Sequence, residues 1–366
     1  MAKIAIDARI MNSSTGTYME ELVRELELVD TVNQYIVIVP SKDATFYTPK
    51  NPNFSVVTCD VPLYSLAEQL EFRTFLEKLN VDLVHFCMPQ QPLFYKGKRV
   101  TTFHDLTLLK TYNSDKNFFM YKFKQFIGLF AFRRIADISD AIIVPTKYVE
   151  DELLEKLHAD KNKVHLIYEA SLAVEIGELE EVDIPFKQFI MYVGKESDYK
   201  NIKRLGDAHQ ELLKKYPDLG LVLVGAKNKA TLTNEAYFKS KQYKNIYFTG
   251  RIENNKRDWL FTQAQAYVFP SLMEGFGLPG LEAMGYGTPV VSSNATCLPE
   301  VYGDAAYYFD PTSIDSMVAA IDEVLSNQTL RERLSAAGLE QVKKYSWEKM
   351  ARETHALYIQ VLEQKK

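Results

Sequence analysis

Residues Phe269–Ser293, FPSLMEGFGLPGLEAMGYGTPVVSS, hold the most telling stretch of the chain. A short apolar run, Ala266–Phe269, leads into it and reads as a strand; a second, Pro289–Ser292, closes it. Between them Leu278–Gly285 reads as a helix, with Pro279 in the first turn, where a fixed φ suits the helix and a missing N–H is harmless. The loop Ser271–Gly277 carries Glu274, Gly275, Phe276 and Gly277. Its two glycines let the backbone approach a bulky ligand, and the free N–H groups at the helix start favour an anionic or polyhydroxyl one. Glu274 lies in the loop and Glu282 one turn into the helix, about 12 Å away along a helical path at 1.5 Å per residue. They are too separated to clamp one metal ion, but suited to hold two parts of one extended ligand. The plainer reading of the same spacing is a tight strand–helix turn with incidental acids.

Working outward, short apolar runs alternate with amphipathic segments. Ile4–Ala8, Tyr35–Val39, Phe54–Thr58, Leu83–Phe86, Val100–Phe103, Ile142–Val144 and Val164–Ile167 read as strands. Tyr18–Val29, Leu66–Leu79 and Tyr148–Leu157 read as helices between them. The periodicity lapses in the acidic stretch Ala170–Pro185 and then restarts. Strands follow at Phe189–Val193, Leu221–Val224 and Ile246–Thr249, with helices at Ile202–Tyr216 and Arg257–Ala264. From Ile314 the chain reads as helical, broken near Tyr345–Trp347. Buried strands each followed by a helix indicate parallel βαβ units. The expected fold is α/β: two tandem doubly wound Rossmann-like domains facing a central cleft. Expected bounds are 1–170 for the N-terminal, acceptor-side domain, 171–186 for a linker and 187–345 for the C-terminal domain. A last helix, 346–366, is expected to pack back on the first domain. Such sheets bind ligands at the carboxyl ends of their strands, where strand order reverses.

Composition narrows the function. At 366 residues, with 46% hydrophobic and 25% charged, the chain suits about two soluble globular domains. Its 43 basic and 48 acidic residues leave a net charge of −5, which argues against a nucleic-acid-binding role. Cys59, Cys87 and Cys297 are odd in number and scattered, so neither a disulfide framework nor a CxxC metal site is expected. A reducing cytoplasm is the expected compartment, with no leader and no membrane span. No GxGxxG follows a strand and no GxxxxGK[ST] occurs, which disfavours nicotinamide dehydrogenases and most NTPases.

The EGFGLPGLE core closely resembles the E-x7-E signature of retaining glycosyltransferases of the two-Rossmann-domain (GT-B) type, family four. IAIDARIMNSSTGTYMEEL, TTFHDL, AIIVPTKYVEDEL and KVHLIYEA resemble its first domain. VGKESDYKN, LVLVGA, IYFTGRI and LPEVYGDAAYYFDP follow in family order. The resemblance implies that Glu282 accepts hydrogen bonds from the donor ribose. It implies that Glu274 meets the transferred sugar and stabilises positive charge developing at its ring, as an ionised, acceptor-only carboxylate can. The backbone of Gly275, Phe276, Gly277 and Leu278 would lie along sugar and phosphate. Lys195 and Lys200 occupy the family's basic pair and would neutralise the diphosphate without a metal. Lys195 stands where the family usually has Arg, and Tyr199 at an alternative Arg position, so bidentate guanidinium recognition is lost. His104, in TTFHDL, would reach the donor sugar or the acceptor, with its role as a base open. Gly16 belongs to a loop, Asn12–Thr17, that has one glycine where relatives often have two. Ser293–Thr296 offers further hydroxyl and N–H groups to phosphate, and His85 reads as structural.

The activity so implied is hexosyl transfer from a nucleotide-diphosphate sugar to a glycan or lipid-linked acceptor. GDP-mannose is the first expectation and UDP-glucose the second, on similarity to mannosyltransferases of bacterial surface polysaccharide assembly. No other cofactor is expected. The alternatives are a sugar-nucleotide epimerase or phosphorylase on the same fold, or a catalytically degenerate donor-binding subunit. Lys116–Ile135 has five basic residues, seven aromatics and no acid before Ala136. Phe119, Phe123, Phe126 and Phe130 form one helical stripe, and Phe118, Tyr121 and Phe132 another. Such a helix either packs both faces inside the domain or docks one on an anionic membrane as a peripheral contact.

Overall fold

The structure is a computed structural model that describes residues 1–12, 16–110, 118–171 and 178–364. Part of the Asn12–Thr17 loop, part of the acidic stretch and the start of 116–135 lie outside the described residues, as do the side chains of 108, 110 and 118–124. The chain forms two units, Met1–Glu169 with Ser346–Lys366, and Ala170–Tyr345.

In the first unit the order is β1 Lys3–Asp7, α1 Thr17–Val29, β2 Gln34–Val39, β3 Phe54–Thr58, α2 Arg73–Leu79 and β4 Leu83–Phe86. Then come β5 Lys98–Thr102, α3 Thr107–Lys110, α4 Phe118–Ile138, β6 Ala141–Val144, α5 Lys147–Glu152 and β7 Val164–Leu166. The seven strands are parallel in the order β3-β2-β1-β4-β5-β6-β7, so the winding reverses between β1 and β4. Ile4 sits between Tyr35 and Leu83 in the ladder, and Ile4, Tyr35 and Leu83 are all buried. Strands covered on both faces require such continuous apolar runs.

The second unit runs β8 Gln188–Val193, α6 Ile202–Leu212, β9 Leu219–Val224, α7 Lys229–Ser240, β10 Ile246–Gly250, α8 Asn254–Gln263 and β11 Ala266–Phe269. It continues with α9 Leu278–Gly285, β12 Val290–Ser293, α10 Leu298–Tyr302, β13 Ala306–Phe309, α11 Ile314–Ser326 and α12 Gln328–Val342. Its six parallel strands lie in the order β10-β9-β8-β11-β12-β13, reversing between β8 and β11. The last helix, α13 Trp347–Glu363, packs on α1 and β5 of the first unit. The expected α/β class with two doubly wound sheets is what is found.

Local chemistry explains where elements differ from the sequence reading. α6 stops at Leu212, not Tyr216: the chain tightens there into turns, with the Lys214 N–H donating to the Glu211 carbonyl and the Lys215 N–H to the Leu212 carbonyl, and Pro217 disfavours helical geometry at Tyr216. The carboxyl-terminal helical region breaks again at Asn327, whose side chain accepts from the Leu330 N–H at 2.9 Å and starts α12. The polar helix α7 has no clear apolar stripe and escaped the periodicity. It is started by a capping box, in which Asn228 and Thr231 bond each other's backbone. The expected helix 66–79 widens into a π turn at Glu68–Phe72 that carries the buried Glu68 carboxylate to the Arg9 guanidinium at 2.9 Å.

Candidate functional site

Strand order in the second unit places the loops after β8 and β11 beside each other, where an open α/β sheet holds its ligand. Asn201 locks them together. It adopts a left-handed backbone, φ 64°, which asparagine tolerates, and donates from its side chain to the Pro270 carbonyl at 3.0 Å and that of Pro311 at 2.8 Å. The Leu272 N–H donates to the Tyr199 carbonyl at 2.8 Å. Lys200, just before Asn201, is thereby aimed at the second loop. Its ammonium meets the Glu274 carboxylate at 2.5 Å, with the two side chains only 14% and 12% exposed. It also lies over the rings of Tyr199 at 5.2 Å and Phe269 at 5.4 Å. Burial would drive Lys200 toward the neutral amine, but the Glu274 carboxylate outweighs it, with Tyr192 and Tyr199 adding to the effect. The lysine stays charged well above its ordinary range.

Glu274 does not sit on a helix. It is held in the loop by its own N–H, which donates to Thr296 Oγ1 at 3.2 Å, and α9 begins only at Leu278. The helical path between Glu274 and Glu282 is therefore not realised. Gly277 starts the helix at φ 100°, a conformation that side chains rarely adopt, and its carbonyl accepts from the Tyr302 hydroxyl at 2.5 Å. Phe276 turns inward and is buried, edge-on to Tyr345 at 5.4 Å. Gly275 is buried and Leu278 partly exposed. Ser293 Oγ accepts from the Ala295 N–H at 3.0 Å, so this hydroxyl and that of Thr296 already build the loops.

Glu282 on α9 accepts no side-chain hydrogen bond among the described residues. Burial pushes its carboxyl above the ordinary carboxylate range; Arg257 opposes this and Asp258 adds to it. Arg257 is itself bonded to Asp258, at 2.9 and 2.7 Å. A carboxylate in such surroundings gains from any pair of hydroxyl donors that reaches it. Lys195, in the loop after β8, is exposed.

In the first unit Gly16 precedes α1, and a Cβ there would lie 1.6 Å from the Met11 carbonyl oxygen. The absent side chain thus accommodates the chain's own backbone. His104 follows β5. Its Nδ1 lies 2.7 Å from Glu169 Oε1, its Nε2 lies 2.9 Å from the Cys87 carbonyl, and its ring stands edge-on to Tyr18 at 4.7 Å. His85 is buried, bonded to Tyr358 and Thr102, and burial together with His104 pushes it down to about 3. The structure thus joins Lys200 to Glu274 within the second unit, with Glu282 on the helix that follows. Gly16 and His104 belong to the first unit.

The sequence noted Asn201 only as the residue that follows Lys200 in the motif, and gave no role to Arg257 or Glu169. Asn201 carries a legible signal, an asparagine after a short polar turn, whereas Arg257, bonded to its neighbour Asp258, and Glu169 act on Glu282 and His104, which lie at a distance in sequence. Among the described residues no three His, Cys, Asp or Glu side chains gather as a metal site, and the three cysteines are free and buried. No helix of the described residues is long and apolar enough to cross a membrane. In α4, Phe132 packs edge-on against Phe103 at 5.6 Å, while Phe126 and Phe130 are 71% and 66% exposed.

Residues 181–341 match the family described as glycosyl transferases group 1, and residues 15–170 match Glycosyltransferase Family 4. O-antigen chain mannosyltransferase B of Escherichia coli is 31% identical over 284 residues, covering 73% of this chain and 72% of that protein. Sucrose-phosphate synthase from Thermosynechococcus elongatus superimposes with a TM-score of 0.76 at 18% identity, over 99% of each chain. HepE from Anabaena, in complex with UDP and glucose, does so at 0.72 and 14%, over 98% and 99%. These likenesses identify the fold as GT-B.

Proposed function

We propose, from the premise that the chain belongs to the group 1 and family 4 glycosyltransferases, that it moves mannose from GDP-mannose to a glycan or lipid-linked saccharide, with retention and without a metal ion. Glycosyltransferase activity follows from that membership, and the mannosyl preference is supported by the mannosyltransferase relative. The observation that carries the mechanism is the Lys200–Glu274 pair at the reversal of strand order, ahead of the helix bearing Glu282.

In this reading Glu282 accepts from the ribose hydroxyls. Lys200 and Lys195, with the start of α9, neutralise the diphosphate as point charges and a dipole. The bond from the anomeric carbon to the phosphate oxygen breaks, and Glu274 stabilises the positive ring that results. The acceptor hydroxyl then bonds the anomeric carbon from the same face. Its proton passes to the departing phosphate oxygen, leaving a nucleoside diphosphate. Gly16 and the Gly275–Leu278 backbone line the donor, and His104 supplies polarity at the sugar. The epimerase, phosphorylase and non-catalytic alternatives are not favoured by the relatives.

A thermal-shift screen tests the donor. A nucleotide sugar at a hundredfold excess over its Kd should stabilise the fold by about 2.7 kcal/mol. GDP-mannose is expected to lead and UDP-glucose to follow. The reverse order would replace mannose in the proposal.

We further propose that α4 meets an anionic membrane, on the cytoplasmic side, through Phe126, Ile127 and Phe130, all exposed, with exposed Arg133 and Arg134 close by in sequence. Each arginine near such a surface contributes about 1 kcal/mol. Wild type should pellet with anionic vesicles at low salt. Phe126→Ser/Phe130→Ser and Arg133→Gln/Arg134→Gln should pellet less, with unchanged donor binding. Failure of the wild type to pellet would make this helix an ordinary domain surface.

A further inference from the structure

The two nitrogens of His104 both face acceptors: a carboxylate oxygen of Glu169 at 2.7 Å and the Cys87 carbonyl at 2.9 Å. A carbonyl cannot donate, so Nε2 must carry a proton to satisfy it, and a carboxylate is matched at Nδ1 only by a second N–H. We infer that Glu169 is a positioning residue that holds His104 doubly protonated, so that the ring acts as a fixed cation beside the reaction and not as the base for the acceptor hydroxyl. This rests on the reading above, which puts His104 at the transferred sugar, and it agrees with the acceptor proton leaving on phosphate.

Glu169 ends the first of the two chain segments that make up the first unit, 65 positions from His104, and is itself buried. The charged and titratable groups facing the ring are few. Glu169 comes from the segment after β7, and Asp105 is its chain neighbour. Tyr18 on α1 stands edge-on, and His85 and Cys87 lie on and just after β4. Burial lowers the affinity of His104 for a proton, but the Glu169 bond and charge, the Cys87 carbonyl and Asp105 together hold it above the ordinary histidine range. Removing the Glu169 charge while keeping its shape isolates the largest of these supports.

The test uses the full chain with 15N-labelled histidine, the His104 signal being assigned by its loss in His104→Gln. In wild type both ring nitrogens should be protonated at pH 7.5. In Glu169→Gln the titration midpoint should fall by at least one pH unit, a tenfold loss of proton affinity, and Glu169→Asp should restore part of it. The kcat of Glu169→Gln should drop at least tenfold at pH 8 with little change in KM. It should recover as the pH falls through the new midpoint, because acid returns the missing proton. A neutral His104 in wild type at pH 7.5, or a midpoint unmoved by Glu169→Gln, overturns the inference whatever the activity. A moved midpoint in a protein whose His104→Gln variant turns over at the wild-type rate overturns instead the placement of His104 at the reaction.

Discussion

Lys200→Met should lower kcat by roughly 10²–10³-fold, the usual range for removing one group that stabilises developing negative charge. Stability should fall as well. The substitution leaves the Glu274 carboxylate, 12% exposed, without its partner at 2.5 Å, and breaking a buried pair from one side costs about 3–5 kcal/mol. Glu274→Gln isolates the other half: kcat should fall with a smaller effect on donor affinity, since its charge matters most when the sugar is cationic. The double variant Lys200→Met/Glu274→Gln should regain part of the lost stability, because no unpaired charge remains, but none of the activity. Chelation of divalent ions should leave wild-type turnover intact. If EDTA abolishes turnover and Mg²⁺ or Mn²⁺ restores it, Lys200 is not the main counter-charge to the leaving group. A double variant no more stable than the Lys200→Met single would show that the ion pair is not coupled in solution.

Glu282→Gln should weaken donor binding more than it slows chemistry. A hydrogen bond to a charged acceptor contributes about 1.5–3 kcal/mol, which is roughly a ten- to hundredfold change in Kd. Isothermal titration with donor or nucleoside diphosphate measures it, and an unchanged Kd would remove Glu282 from the ribose. The pH dependence has a definite sign. Burial raises this carboxyl above its unfolded value, so the free protein takes up a proton there as the pH falls toward the raised value. Hydroxyl donors require the ionised form, so donor binding should release that proton, and affinity should decline as acid is added through this range. Titrations in buffers of different protonation enthalpy should show proton release in wild type and none in the glutamine variant. Fold stability runs the other way. The cost of ionised Glu282 is full above the raised value and is relieved as the pH falls from there to the unfolded value.

The class of fold was legible because it depends on short-range pattern. Parallel strands covered on both faces leave continuous apolar runs between helical segments, as Tyr35–Val39 within β2 and Ala266–Phe269 do. The loop around Glu274 was equally legible, since Gly277 and Pro279 mark a helix start by their backbone preferences alone. Elements without a clear stripe, such as α7, were not, because their stability comes from caps and packing.

Which side chains meet is a different kind of fact. Lys200 and Glu274 are 74 residues apart and touch because the sheet reverses its winding between β8 and β11. His104 and Glu169 are 65 apart and meet because β5 and β7 end on the same edge of one sheet. No periodicity in the chain encodes either pairing. Residue type and spacing settled the architecture and the chemistry on offer, since both follow from local backbone preference and from what each side chain can donate or accept. The charge state of Lys200, Glu282 and His104 was left to the folded protein, because desolvation and a neighbouring charge act through space, over distances that exist only once the sheets are assembled.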